Sequence, residues 1–324
     1  MYNFINGYSG ICCIRSECRN YVGVYIKGEI FLEDFQREMN ENRDKSRRTK
    51  WEGHRNQVSG LFHDVFSKKA SVDKIAIFGA GNCDDLELNY LASNCNSIYL
   101  FDLDVESMKR GTQYLLASTR NKIKLVELDV TGLKNIDFEH HLSSLLKCGE
   151  KVESILQYVR DIEKYVVESS KDEWADFLDS FDIVASSAIY TQLFYNWALD
   201  TLSQYENQYN KEELEQIQEG FLDLRDSIIL AYHDSIFKCC KTTGFVITWT
   251  DILKMEPEYI NTIKQGPNAI FALASNIGYG AALIAIKDFI ENANKADFSL
   301  KYWPWDFNEE KQYLTMGLLG KLNR

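Results

Sequence analysis

From Lys74 onward, short apolar runs alternate with stretches of helical periodicity, and this alternation constrains the fold more than any other feature. The runs are KIAIFG (74–79), SIYLFDLD (97–104), KIKLVELDV (122–130), FDIVASS (181–187) and GFVITWT (244–250). Helical patterns lie between them, at 84–93, 105–118, roughly 138–178 and 191–241. Strands that alternate with helices pair in parallel and are covered on both faces, so an α/β layered sheet is expected. The end of the chain differs. DFSLKYWPWD and KQYLTMGLLGKL are separated only by a short turn at Asp306 to Glu310, which leaves no room for a helix. These two runs should pair antiparallel. The segment 269–286, AIFALASNIGYGAALIAI, contains Ser275, Asn276 and two glycines, and it reads as a buried core helix rather than a membrane span.

Two intervals exceed what a crossover needs. About 50 residues separate Asp129 from Phe181, and a similar number separate Ser187 from Gly244. The excess is expected as helical insertions, at about 134–180 and 190–243. Residues 36–66 read as helix, and GVYIKGEIFL (23–32) reads as a strand or hairpin within an N-terminal extension over 1–50.

Charge and cysteine usage narrow the class. The net charge of -12 disfavours a general affinity for nucleic acid phosphates. Eight cysteines without a secretory signal point to a reducing cytoplasm. Cys12, Cys13 and Cys18 cluster, but no second pair stands at a zinc-finger spacing, so no metal is expected.

The strand ends carry the chemistry. The first ends in Gly79-Ala80-Gly81, the second in Asp102 or Asp104, the third in Asp129 and the fourth in Ser186-Ser187. In a parallel sheet these ends share one edge, around the switch point where ligands bind. A glycine turn admits a ligand to bare backbone. A carboxylate at the second strand end suits ribose hydroxyls, and one at the third suits the adenine amine. Each also has a plainer reading: a turn, a helix cap at Asp102, a turn cap from Asp129 to Thr131, and N-cap serines. A dinucleotide fingerprint needs Gly-x-Gly-x-x-Gly, but its sixth position is Asp84, an acid that would face pyrophosphate at a helix N-terminus. A donor without phosphates, such as S-adenosylmethionine, fits better, because its sulfonium is cationic.

At this point the sequence resembles the class I S-adenosylmethionine-dependent methyltransferases. The resemblance rests on IAIFGAGNCDDLEL, YLFDLD, LVELDV, FDIVASSAIYTQL and the closing pair of strands, and it spans roughly 51–324. It departs at Cys83, where many members carry a third glycine. It implies a Rossmann-like doubly wound sheet, mostly parallel with a C-terminal antiparallel hairpin, and S-adenosylmethionine as cofactor. The donor contacts it implies are Gly79, Ala80, Gly81 and Asn82, Asp102 and Leu103, Asp129 and Val130, and Ser186 and Ser187.

The acceptor side is less constrained. His54 is a candidate base, with a surface histidine as the plainer reading. Tyr190 would either meet the acceptor or pack in the core. Gln192 follows on the same turn, Asp251 is a second candidate base, and His233 within a long helix reads as structural. Seven Arg or Lys and four acids fall within 36–55, which makes that stretch locally basic. Arg47, Arg48 and Arg55 would clamp an anionic acceptor, or would line a solvated helix face. The expected reaction is methylation of an oxygen, preferably the carboxylate of a peptide or small metabolite. An N-methyltransferase remains open, as do a nicotinamide-type oxidoreductase and a noncatalytic scaffold.

Overall fold

The computed structural model describes residues 46–169 and 174–322, together with Arg37 and Asn40. Seven strands form one sheet in the order β3-β2-β1-β4-β5-β7-β6. They are β1 Lys74–Phe78, β2 Ser97–Asp102, β3 Ile123–Glu127, β4 Phe181–Ser187, β5 Cys240–Lys254, β6 Ser299–Asp306 and β7 Gln312–Gly320. The first five are parallel, and β7 runs antiparallel between β5 and β6. The chain steps outward from β1 to β2 and β3, then returns past β1 to β4. That reversal makes a switch point between β1 and β4, where Phe78 is in register with Phe101 on one side and Ser186 on the other.

Continuous apolar runs are what a sheet buried on both faces requires, and β4 is buried at all seven positions. Ile75, Ile77, Ile98, Leu100, Ile183, Ala185 and Trp249 face α1 (Glu52–Lys68), α2 (Leu88–Ser93) and α3 (Val105–Thr112). Ala76, Phe78, Phe101, Val184 and Val246 face the other layer. That layer holds α4 (Phe138–Lys147), α5 (Val152–Ser169), α6 (Tyr195–Gln204), α7 (Lys211–Cys239), α8 (Pro267–Asn276) and α9 (Gly280–Asn292). The two long intervals are therefore helical, as α4–α5 and α6–α7. The 29-residue α7 opens on a capping box in which Asn210 and Glu213 each satisfy the other's backbone N–H.

Three expectations shift. β5 is longer than expected at both ends. The core helix expected over 269–286 is two helices, broken at Gly278, whose φ of 98° ends α8. The helix expected from residue 84 starts only at Leu88, because 83–87 is taken up by turns. The expected strand at 23–32, Cys12, Cys13 and Cys18 lie outside the described residues, as does most of the extension over 1–50. Among the described residues no helix is long and apolar enough to cross a membrane.

Candidate functional site

The glycine turn after β1 is built by backbone. Gly79 and Gly81 have φ of 74° and 46°, a region that side chains disfavour. A Cβ on Gly79 would stand 2.9 Å from the Ser187 carbonyl oxygen, so the turn packs against the end of β4. The N–H groups of Gly79 and Ala80 both donate to the Phe101 carbonyl, at 2.9 and 3.2 Å. Gly81 N–H donates to Asp102 Oδ2 at 2.8 Å, and Asp104 N–H donates to Asp102 Oδ1 at 2.9 Å. The structure thus brings the glycine turn and the acid of the second strand together. Burial pushes the Asp102 carboxyl up to about 6, against the lowering effect of the Asp104 and Gly81 amides. Each carboxylate oxygen keeps a lone pair for a further donor.

Cys83, where many members of the resembling family carry glycine, adopts the glycine-like conformation, with φ of 56° and its side chain buried. Asp84 is buried, and its carbonyl accepts a 3.0 Å bond from Arg55 Nη1. It does not stand at a helix N-terminus facing a ligand, so the electrostatic argument drawn from it does not hold in the fold.

Asp85 holds the candidate site together, and sequence reading passed it over. Its Oδ2 accepts both the Ser187 hydroxyl, at 2.8 Å, and the Trp249 indole N–H, at 2.9 Å. One buried carboxyl therefore ties the glycine loop to β4 and β5, and burial raises its pKa. The Asp-Asp pair at 84–85 was the available signal. Ser187 is occupied by this bond, and the Ser186 hydroxyl accepts from Tyr232 at 2.9 Å. The Ser187 oxygen keeps lone pairs to accept with, and beyond it the backbone turns at Ala188, whose φ is 44°.

Asp129 lies two residues beyond β3. Its carboxylate accepts from the Thr131 N–H and hydroxyl and from the Lys134 N–H, at 2.9, 2.6 and 2.9 Å. It anchors its own turn, the plainer of its two sequence readings, with Val130 half-buried beside it.

The expected catalytic and acceptor residues are placed elsewhere. His54 sits on α1 against β6, the outermost strand, stacked on Trp305 at 4.2 Å. Its Nδ1 accepts from Trp303 Nε1 at 3.0 Å. Burial, with the Arg55 charge, pushes it down to about 3, so the ring stays neutral and is too weak a base near neutrality. Tyr190 is buried beneath the edge. Its hydroxyl lies 2.7 Å from His233 Nε2 and 3.0 Å from Thr248 Oγ1, and His233 Nδ1 lies 2.6 Å from Asp288 Oδ2. The phenol is locked in a core network, and burial pushes it up to about 12. His233, expected to be structural, is fully buried within α7.

The arginines do not form an acceptor clamp. Arg55 is buried and bonds Glu87 at 2.5 Å and the carbonyls of Arg48 and Asp84. Arg48 pairs with the same Glu87 at 3.0 Å, and Arg47 lies over Trp51, 5.1 Å from the ring centroid. Together they dock α1 on the loop after β1. The Gln192 side chain lies outside the described residues. Asp251, near the end of β5, accepts from the Thr191 hydroxyl at 3.0 Å, and burial raises its pKa. Like Asp85, it is a carboxyl raised by burial near the C-terminal ends of β4 and β5.

The reversed sheet order with its C-terminal antiparallel hairpin is the Rossmann-like fold of the class I S-adenosylmethionine-dependent methyltransferases. No protein-family model and no curated protein sequence matches the chain. Among solved structures it is similar to the N-methyltransferase NodS of Bradyrhizobium japonicum WM9, crystallised with S-adenosyl-L-homocysteine. The two are 10% identical, with 89% of this chain and 98% of that chain covered, at a TM-score of 0.43. An rRNA methylase of Streptococcus thermophilus is 11% identical over 81% of this chain and 95% of its own, at 0.34. A spermidine synthase of Thermotoga maritima is 11% identical over 81% and 57%, at 0.35. The strand order, and not these likenesses, defines the fold.

Proposed function

We propose that the protein is an S-adenosylmethionine-dependent methyltransferase whose acceptor carries an O–H or N–H group. The observation that carries the donor reading is the Gly79–Gly81 turn bonded through Gly81 N–H to Asp102 at the switch point. The residues fit the donor. Among the described residues only the Asn40 amide oxygen comes within 4 Å of where a Cβ of Gly81 would stand, so the turn leaves a cradle of bare backbone. Asp102 has lone pairs left for ribose hydroxyls. Gly79 to Asn82, Asp102 and Leu103 would hold the adenosyl group, with Asp129 and Val130 flanking its base. Bound there, S-adenosylmethionine supplies a methyl group on a sulfonium, which a nucleophile displaces.

An anionic acceptor loses its support, because Arg48 and Arg55 are committed to Glu87. Asp251 supports a protic acceptor instead. A carboxyl raised by burial is a better proton acceptor than an exposed one, and Thr191 orients it. Titration calorimetry with S-adenosylhomocysteine and with NAD tests the donor. The expected result is binding of the first only, lost in Asp102→Ala. Binding of NAD alone would refute the assignment.

A further inference from the structure

Asn40 belongs to the N-terminal extension, yet it stands at the glycine turn. Its Nδ2 donates to Asp104 Oδ2 at 3.0 Å, and its backbone carbonyl accepts from Asn82 Nδ2 at 3.0 Å. Asp104 and Asn82 are themselves buried. The other Asp104 oxygen caps α3 through the Ser107 N–H at 3.0 Å. One bond to a buried group holds the Asn40 backbone and one holds its side-chain amide, and the bond to a carboxylate settles which end of that amide is NH2. Its Oδ1 is then left on the open side of Gly81, 3.6 Å from the Cβ position.

This places a fixed acceptor oxygen in the same corner as Asp102. Gly81 and Asp104 both donate to Asp102, and Asn40 bonds Asp104 while its Oδ1 lies 3.6 Å from where a Cβ on Gly81 would stand. A ribose diol offers two hydroxyl donors, and in this corner stand the lone pairs that the Asp102 oxygens keep after accepting one N–H each and the amide oxygen of Asn40. We infer that Asn40 is a second ribose-binding residue, accepting one hydroxyl of the diol while Asp102 accepts the other. The inference rests on the donor reading above. It gives the N-terminal extension a part in donor recognition that no strand-end motif supplies.

A thermodynamic cycle between protein and ligand tests it. Full-length wild-type and Asn40→Ala proteins are titrated with S-adenosylhomocysteine and with its 2′-deoxy and 3′-deoxy analogues. For one lost hydrogen bond, Asn40→Ala should weaken S-adenosylhomocysteine by about fivefold. It should weaken one of the two deoxy analogues by less than about twofold, because that ligand lacks the hydroxyl Asn40 would have held. Equal losses for all three ligands would make Asn40 a structural clamp and overturn the inference. So would unchanged affinity for S-adenosylhomocysteine. If the wild-type protein binds none of the three, the donor reading itself fails, a result distinct from both.

Discussion

Donor affinity should depend on pH through Asp102. Its carboxyl is pushed up to about 6 in the unliganded fold, mainly by burial. Accepting a ribose hydroxyl requires a lone pair that protonation removes or weakens, so the ionised form is the binding form. With that value the ionised fraction is ~0.9 at pH 7 and ~0.09 at pH 5. Affinity for S-adenosylhomocysteine should therefore fall about tenfold on going from pH 7 to pH 5, equivalent to ~1.4 kcal/mol. The thioether ligand is chosen because it lacks the sulfonium charge and, like the free amino acid group, does not titrate in this window. Near pH 6 binding should also expel ~0.5 proton, seen as a calorimetric enthalpy that varies with the ionisation enthalpy of the buffer. The sign for stability is opposite. Because the folded carboxyl titrates above the ordinary aspartate value of 3.8, the folded chain binds more protons than the unfolded chain between about pH 4 and 6. The contribution of Asp102 to stability is thus full below pH 4 and is lost as pH rises through 6. Affinity that stays flat between pH 5 and 7, with no proton release at pH 6, would refute the reasoning.

Tyr190→Phe should cost about 1–3 kcal/mol in equilibrium denaturation, because it leaves Thr248 and the His233–Asp288 pair without the phenol. Donor affinity should be unchanged, and loss of turnover at full stability would instead make Tyr190 catalytic. Arg55→Ala should destabilise the fold by about 1–3 kcal/mol, since it takes the donor from the carbonyls of Arg48 and Asp84 and leaves the partly exposed Glu87 to Arg48 alone. A raised acceptor KM with unchanged melting temperature would restore Arg55 as a substrate clamp.

The sheet was largely legible because its physics is local. A strand buried on both faces reads as a near-continuous apolar run, as at Ile75 to Phe78 and at Ile183 to Ala185 in the middle of β4. The terminal hairpin was legible from a gap too short for a helix between Asp306 and Gln312. That the glycine turn and Asp102 share one edge followed from the parallel order of their strands, whereas the Gly81–Asp102 bond itself had no signal in the sequence. The acceptor side was not legible, because its partners are distant in the chain. Tyr190 meets a histidine 43 residues on, and that histidine meets an aspartate 55 residues further. Asp85 reaches Trp249 across 164 residues. A basic run announces charge but not what it pairs with, and Glu87 and the Asp84 carbonyl claimed Arg48 and Arg55. His54 looked titratable only because nothing near it in sequence announced the two tryptophans, Trp303 and Trp305, that enclose it.

Because β7 runs against its neighbours, its start lies beside Lys254 and its end beside Val246. The chain therefore leaves the sheet at Gly320 heading for the pole opposite the glycine turn, whereas Asn40 enters beside that turn. A fluorophore or surface tether attached after Gly320 would leave the ligand edge unobstructed, and the same attachment ahead of Asn40 would crowd it.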